Sequence, residues 1–495
     1  MELNKVYRER YFLAGIFLLS LLVRLVVFYT YLQHDERYWQ VDSATYQKMA
    51  VALVEGKGFT KPDGAPQVHR LPGYSAFLAS VYKVVGTTQP YAALLVQIVV
   101  AALIPLLIFW LSLLLFPGAL IAARWCALWG ALHGGFILYA GFLMTESRFI
   151  LLFLIFLCLF VSLLQAIIGD NYQEKMISCE KNPLALSVSK GFFGRIIKNS
   201  SVFFAFASGL ALGIASLIRP VGHYLVFVSL LILVCVGSAR LRQTTQTVVV
   251  FFCSWLLPAG AWLLRNYLLT GYLFFHSLPG GHFLHLSAAR VAMYDYNCSY
   301  QEARQLLRAE VQGRVAVLER KKGAPLSEIE WCFVQERLAK ECFVKAPLIT
   351  IKTWLTDITR TCVSLYSAEL LYLDSGRTAI DYFAKGRGLF AGVKRYLFPP
   401  TENLWLKLVV YAEISMHVLL LSMSFFYCCM LFFALLQGSS QAVVAGAMVL
   451  YVGLFLGIAL AGGYARMRLP IEPLLMIFAL QGIVRIFSSK VKKNN

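Results

Sequence analysis

Asp42, Glu146, Arg219, Arg265, Arg466 and Arg468 stand at the ends of long apolar segments, and all map to one side of a membrane. Carboxylates in such places can take up a proton or meet a cation, and arginines offer paired donors to phosphate oxygens. His69 and Arg70 add a cationic pair in the same external stretch, either for lipid headgroups or for a substrate phosphate. Reactive groups gathered where a chain leaves the bilayer point to an enzyme acting on a lipid-linked or membrane-bound substrate.

The elements that must position these groups are apolar spans. The chain has 495 residues, 59% of them hydrophobic, and a mean hydropathy of +0.67. Its 36 Phe and 25 Tyr suit a multi-pass protein with interfacial aromatics. The formal charge of +19 is explained by topology and anionic phospholipid, without nucleic acid. Eleven Cys are scattered without a CxxC pair, so no metal framework is evident. No glycine-rich nucleotide-binding sequence follows a plausible strand.

Lys5, Arg8 and Arg10 precede the first span, Leu13–Leu32, and place the N-terminus in the cytoplasm. Further spans are read at Tyr91–Leu115, Leu120–Ala140, Arg148–Ile168, Val202–Ile218, Val221–Val236, Val248–Leu264, Leu406–Leu436, Gln441–Leu460 and Leu474–Phe487. The sequence thus predicts an all-α polytopic membrane protein of about ten transmembrane helices, within a range of roughly nine to thirteen. Lys175, Lys181, Lys190, Arg195 and Lys198 mark a cytoplasmic loop between Gly169 and Ser200. Three parts follow: a transmembrane catalytic module over 1–264 that includes the first external loop, 33–90; a mostly helical extracytoplasmic or interfacial region over 265–403; and a C-terminal transmembrane module over 404–495.

In the first loop, Tyr46, Met49, Ala50 and Leu53 form one apolar stripe on a short helix starting after Asp42. A second amphipathic helix runs from Ser75 to Val85. Two such helices can roof a cavity at bilayer level. Asp42 reads either as a helix cap or as a carboxylate serving an acceptor hydroxyl or a metal. Glu146 lies in a very short external turn, either solvated, paired with nearby Arg148, or turned into the roofed cavity beside Asp42. His276, His282 and His285 read as contacts to substrate or polar backbone, or as a metal site. Cys298, Cys332, Cys342 and Cys362 could pair in an oxidising compartment. Ala205, Ser208, Gly209, Gly213 and Ser216 permit close helix packing.

Several short motifs share this external placement: Asp42-x-x-x-Tyr46, Arg70-Leu71-Pro72-Gly73-Tyr74, Thr145-Glu146, Leu217-Ile218-Arg219-Pro220, Leu257-Pro258 with Trp262, Arg265-Asn266-Tyr267 and Gly271, and Arg466-Met467-Arg468-Leu469-Pro470-Ile471-Glu472-Pro473. In their order the chain resembles the C-superfamily polytopic glycosyltransferases, specifically the bacterial family related to dolichyl-phosphate-mannose protein mannosyltransferase and aminoarabinose (lipid A) transferase. The resemblance implies a polyprenyl-phosphate-sugar-dependent glycosyltransferase of the bacterial inner membrane, with its site facing the periplasm or exterior. It implies a polyprenyl-phosphate sugar donor, transfer with inversion, and a glycolipid, cell-envelope glycan or protein as acceptor. Asp42 and Glu146 would be catalytic. Arg70, with His69 and Tyr74, would face the donor, and Arg466, Arg468, Arg219 and Arg265 would touch phosphate or acceptor. A divalent cation, Mg or Mn, would sit at Asp42 and Glu146 if one is used. Some relatives carry a double acidic motif in the first loop, whereas Val41 and Ser43 flank Asp42 here and the pair Asp35-Glu36 comes earlier. The alternative reading is a lipid-linked glycan ligase or polymerase, and beyond it a secondary transporter, whose internal repeats and mid-membrane breaks are not evident.

Overall fold

A computed structural model describes residues 2–61, 63–168, 201–237, 241–375, 394, 401–458 and 464–493. The basic loop read at 169–200 lies outside them. Among the described residues the regular structure is helical apart from one antiparallel bridge, Thr60 to Pro66, in the first loop.

Among the described residues seven helices are long and apolar enough to cross a bilayer: Tyr7–Leu32, Pro90–Leu115, Glu146–Ile168, Arg242–Thr270, Leu404–Leu436, Ser440–Ile458 and Ala465–Phe487. The pair Leu120–Leu132 and Gly134–Gly141, bent by 45°, can form an eighth crossing. Ser201–Ser216 and Val221–Gly237 are apolar but shorter, and stand where the fifth and sixth spans were expected. The chain is therefore a polytopic membrane protein, with seven or eight long apolar helices among the described residues. Leu404–Leu436 is one uninterrupted helix of 33 residues. At 1.5 Å per residue it is about 50 Å long, so it overruns the hydrocarbon at one end or lies tilted. The Asn403 side chain caps it by accepting the Trp405 and Leu406 N–H groups.

Close approach of helices depends on small residues, as the sequence spacing suggested. A Cβ on Gly213 would lie 2.7 Å from the Trp255 carbonyl oxygen, so the Ser201–Ser216 helix packs backbone to backbone on the helix holding Trp255. At the centre of the bundle Phe153, Phe156 and Phe160 surround Tyr451. The Tyr451 hydroxyl is satisfied by Ser229 at 2.8 Å, which such a buried polar group requires.

The region after residue 270 is mostly helical too. Tyr300–Lys322 and Glu328–Lys345 each begin with a capping box, Ser299 with Glu302 and Ser327 with Glu330. Ala303, Leu307, Val311 and Val315 recur every four residues and bury one face against Val334, Leu338 and Ala339. Cys298, Cys332, Cys342 and Cys362 are all free thiols. In the first loop the two expected helices are present as Ser43–Val54 and Gly73–Val85. They are joined by Tyr46 packing edge-on against Tyr74 at 5.1 Å and by Ser75 Oγ donating to the Tyr46 carbonyl.

Candidate active site

Asp42 precedes the first loop helix at its N-cap position, yet its side chain caps nothing. Ser43 does the anchoring instead. Its hydroxyl accepts the Gln40 N–H at 2.8 Å and donates to the Leu143 carbonyl at 2.9 Å. The Leu143 N–H in turn donates to the Tyr38 carbonyl at 3.0 Å. Gln97, buried in a membrane helix, fixes the same segment. Its amide donates to the Ala140 and Phe142 carbonyls at 3.0 and 2.7 Å and accepts the Tyr74 hydroxyl at 2.9 Å. The stretch that carries Glu146 is therefore fastened to the loop that carries Asp42.

The two carboxylates meet through arginines. Arg70 Nη2 donates to Asp42 Oδ1 at 2.6 Å. Arg466 Nη2 lies 3.6 Å from Asp42 Oδ2, while Arg466 Nε donates to Glu146 Oε1. Arg219 Nη1 donates to that same Glu146 oxygen at 2.9 Å. Glu146 is fully buried, and its partners come from two other parts of the chain. Burial by itself pushes the Asp42 carboxyl up, but the Arg70 and Arg466 guanidiniums beside it outweigh that and hold it below the usual carboxylate range. Arg219 is aimed by a backbone contact: the Gly73 N–H donates to the Leu217 carbonyl at 2.9 Å. A Cβ on Gly73 would sit 2.8 Å from that oxygen, so the Leu-Pro-Gly turn and the Leu-Ile-Arg-Pro turn are two sides of one contact.

Other expected residues lie elsewhere. Arg148, two residues after Glu146, does not pair with it; its guanidinium lies 3.7 Å over the Phe77 ring. Tyr74 is fully buried and bonded to Gln97, so it supports the site from behind. Arg265 donates to the Gln67 and Phe59 carbonyls and stacks on Trp262 at 4.6 Å, holding the first loop down. Arg468 is buried and bound to Glu472 and to the carbonyls of Cys362 and Ser364, so it fastens the last span to the external region. His69 bonds Ser277 and Glu328 and ties the loop to the Glu328–Lys345 helix. The earlier acidic pair is remote from the cluster: Asp35 has 84% of its side chain exposed and pairs with Arg37.

Two residues not singled out from the sequence stand beside the cluster. The Tyr139 hydroxyl donates to Glu369 Oε1 at 3.1 Å. Glu369 is half-buried and feels the charges of both Arg466 and Glu146. Nothing in the spacing around Glu369 marks it, because it follows a stretch with no readable motif.

This bundle is similar to known solved structures. No family model and no curated protein matches the sequence. The Archaeoglobus fulgidus oligosaccharyltransferase AglB, in complex with an inhibitory peptide and a dolichol-phosphate, matches over 97% of this chain and 51% of its own, with a TM-score of 0.51 and 12% identity. The fold resembles that of an oligosaccharyltransferase. The apo form of that archaeal enzyme matches over 98% and 51%, with a TM-score of 0.50 and 11% identity. Its complex with Zn and sulfate matches over 97% and 49%, with a TM-score of 0.50 and 12% identity. At such identity the likeness is one of fold alone, and the chain spans about half the length of the structures it matches. The structures matched are those of an oligosaccharyltransferase, whereas the motifs suggested the mannosyltransferase and aminoarabinose transferase relatives.

The two carboxylates expected to hold a divalent cation are both paired with arginines in this structure. Arg466 already bonds Glu146 and approaches Asp42, so a guanidinium holds the place between them. Among the described residues no group of three or more His, Cys, Asp or Glu side chains is arranged to hold a metal ion.

Proposed function

We propose that this protein transfers a glycan from a polyprenyl-phosphate-linked donor to an acceptor at the external membrane surface. The observation that carries the reading is Arg466, from the last apolar helix, joining Asp42 of the first loop and Glu146 of the turn before the fourth expected span. A phosphate leaving group sheds negative charge, and the guanidiniums of Arg70 and Arg466 are donors suited to receive it. Asp42, held ionised, orients the acceptor's O–H or N–H by accepting a hydrogen bond from it. Residues 1–264 and 404–495 form the membrane module in this reading, with 265–403 placed over it to shape acceptor choice. The acceptor is a protein, a glycolipid or a cell-envelope glycan.

A specific observation bears on the size of the transferred group. The motifs favour a single sugar, but the fold likeness is to an enzyme named an oligosaccharyltransferase. We favour the ligase-type reading, in which a preassembled lipid-linked glycan moves as one unit. Purified protein in lipid bilayers, offered a pool of undecaprenyl-linked sugars and oligosaccharides with membrane extract as acceptor, is followed by mass spectrometry of donor loss. Consumption of one oligosaccharide donor, absent in Asp42→Asn, is expected. Consumption confined to monosaccharide donors would return the reading to single-sugar transfer. Equal consumption by Asp42→Asn would remove the site assignment.

A further inference from the structure

The acceptor's oxygen or nitrogen must lose a proton as it attacks, and the two carboxylates expected to serve are poorly placed to take it. Asp42 is clamped between Arg70 and Arg466, and Glu146 between Arg219 and Arg466. A carboxylate stabilised by two guanidiniums is a weak base. Glu369 differs in each respect. No arginine or lysine pairs with its carboxylate among the described residues, and Tyr139 is its hydrogen-bond partner at 3.1 Å. It is partly buried, as Asp42 and Arg466 are. Burial pushes the Glu369 carboxyl up, against the smaller opposing effects of the Tyr139 hydroxyl and Arg466. Carboxyl groups whose surroundings drive them apart in this way mark a division of roles.

We propose that Glu369 is the general base of the transfer and that Tyr139 holds its carboxylate toward the acceptor. The inference rests on the glycan-transfer reading. In the step, the acceptor's proton passes to Glu369 and its freed electron pair forms the bond to the anomeric carbon. The anomeric carbon–oxygen bond to phosphate breaks, and its electrons leave on the phosphate beside Arg70 and Arg466. Glu369 then returns the proton to water. Tyr139 supports this by position: Ser147 Oγ donates to its carbonyl at 2.6 Å, so the tyrosine is fixed one helix start away from Glu146. The Tyr31 hydroxyl donates to the Leu370 carbonyl and fixes Glu369 from the side of the first span.

The test uses the full-length protein in lipid and three variants, Glu369→Gln, Glu369→Asp and Tyr139→Phe. The readouts are donor consumption against pH, binding of undecaprenyl phosphate, and an infrared titration of carboxyl groups. With Glu369→Gln, turnover falls by about a hundredfold or more, the usual size for loss of a general base, while undecaprenyl phosphate binds as in the wild type. Glu369→Asp restores part of the rate. Tyr139→Phe removes a donor to the ionised carboxylate, so the midpoint of the acid limb of the rate profile moves to higher pH. A protonated-carboxyl band titrating above the ordinary glutamate range is present in the wild type and missing in Glu369→Gln. Wild-type rates in Glu369→Gln, or an unmoved acid limb in Tyr139→Phe, overturn the inference and leave the glycan-transfer reading intact. A wild-type protein that neither binds undecaprenyl phosphate nor consumes any donor overturns both.

Discussion

Arg70 reaches 28 positions back along the chain to donate to Asp42 at 2.6 Å, and this pair closes the first loop on itself at the point where the site opens. The geometry sets a pH dependence. The Asp42 carboxyl is held below its ordinary range, so its contribution to stability is full above the unfolded-state value and is lost as pH falls through the depressed folded value. Asp42→Asn is expected to lower the melting temperature at neutral pH, with the gap to wild type closing as the solution is made acidic. A gap that is constant with pH would show that Asp42 acts on stability by shape and not by charge.

Glu146 carries a larger share of the fold. It is fully buried, and Arg219 and Arg466 both pair with it. Glu146→Gln leaves the largely buried Arg219 without its counter-charge and Arg466 with Asp42 alone, a defect of a kind that costs about 3–5 kcal/mol. Unfolding in mild detergent should show that loss together with loss of transfer. A cost under about 1 kcal/mol, the size found for solvent-exposed pairs, would mean that water reaches these arginines.

Gly73 tests the backbone contact that aims Arg219. Gly73→Ala places a methyl group 2.8 Å from the Leu217 oxygen and from Ile218 Cγ1. Overpacking of this kind costs about 1–3 kcal/mol. Because the displaced turn carries Arg219, transfer is expected to fall further than stability predicts, by about tenfold or more. A variant that is destabilised but keeps its specific activity would separate this contact from the site.

Glu328 links the external helices to the first loop through Lys61 and His69. These are partly exposed pairs, so Glu328→Gln is expected to cost under about 1 kcal/mol of global stability. Hydrogen exchange over residues 57–69 should nevertheless rise several-fold, because the loop loses its tie. Unchanged exchange would assign the fastening to Arg265 and Ser277 alone.

Much of the membrane architecture was legible because lipid forces it. An apolar run such as Arg148–Ile168 has few other places to go, and lysine and arginine placement orders the turns. Asp42, Arg70, Glu146, Arg219 and Arg466 were legible as a group, since charges at span ends on one face are few and must find partners. The partnering was not. Arg148 lies two residues after Glu146, yet helix geometry turns it onto Phe77. Arg468 looked like a second phosphate ligand, though Glu472 four residues later was the signal that it would turn inward. Tyr139 and Gln97 read as ordinary members of spans, because what distinguishes them is a contact made by another helix. Glu369 lies in a helix, Ser367–Ser375, that has no periodic apolar pattern to announce it.

The pairing of Arg466 with Glu146 joins positions 320 residues apart, and this has a bearing on how the protein is made. Chains are built from the N-terminus, and early segments settle before late ones exist. Glu146 is made long before Arg466, and Arg219 is the earlier of its two partners to be synthesised. The charge cluster is thus completed only once the helix that begins at Ala465 is made, and a nascent chain stalled before residue 466 holds both carboxylates but lacks the charge that joins them.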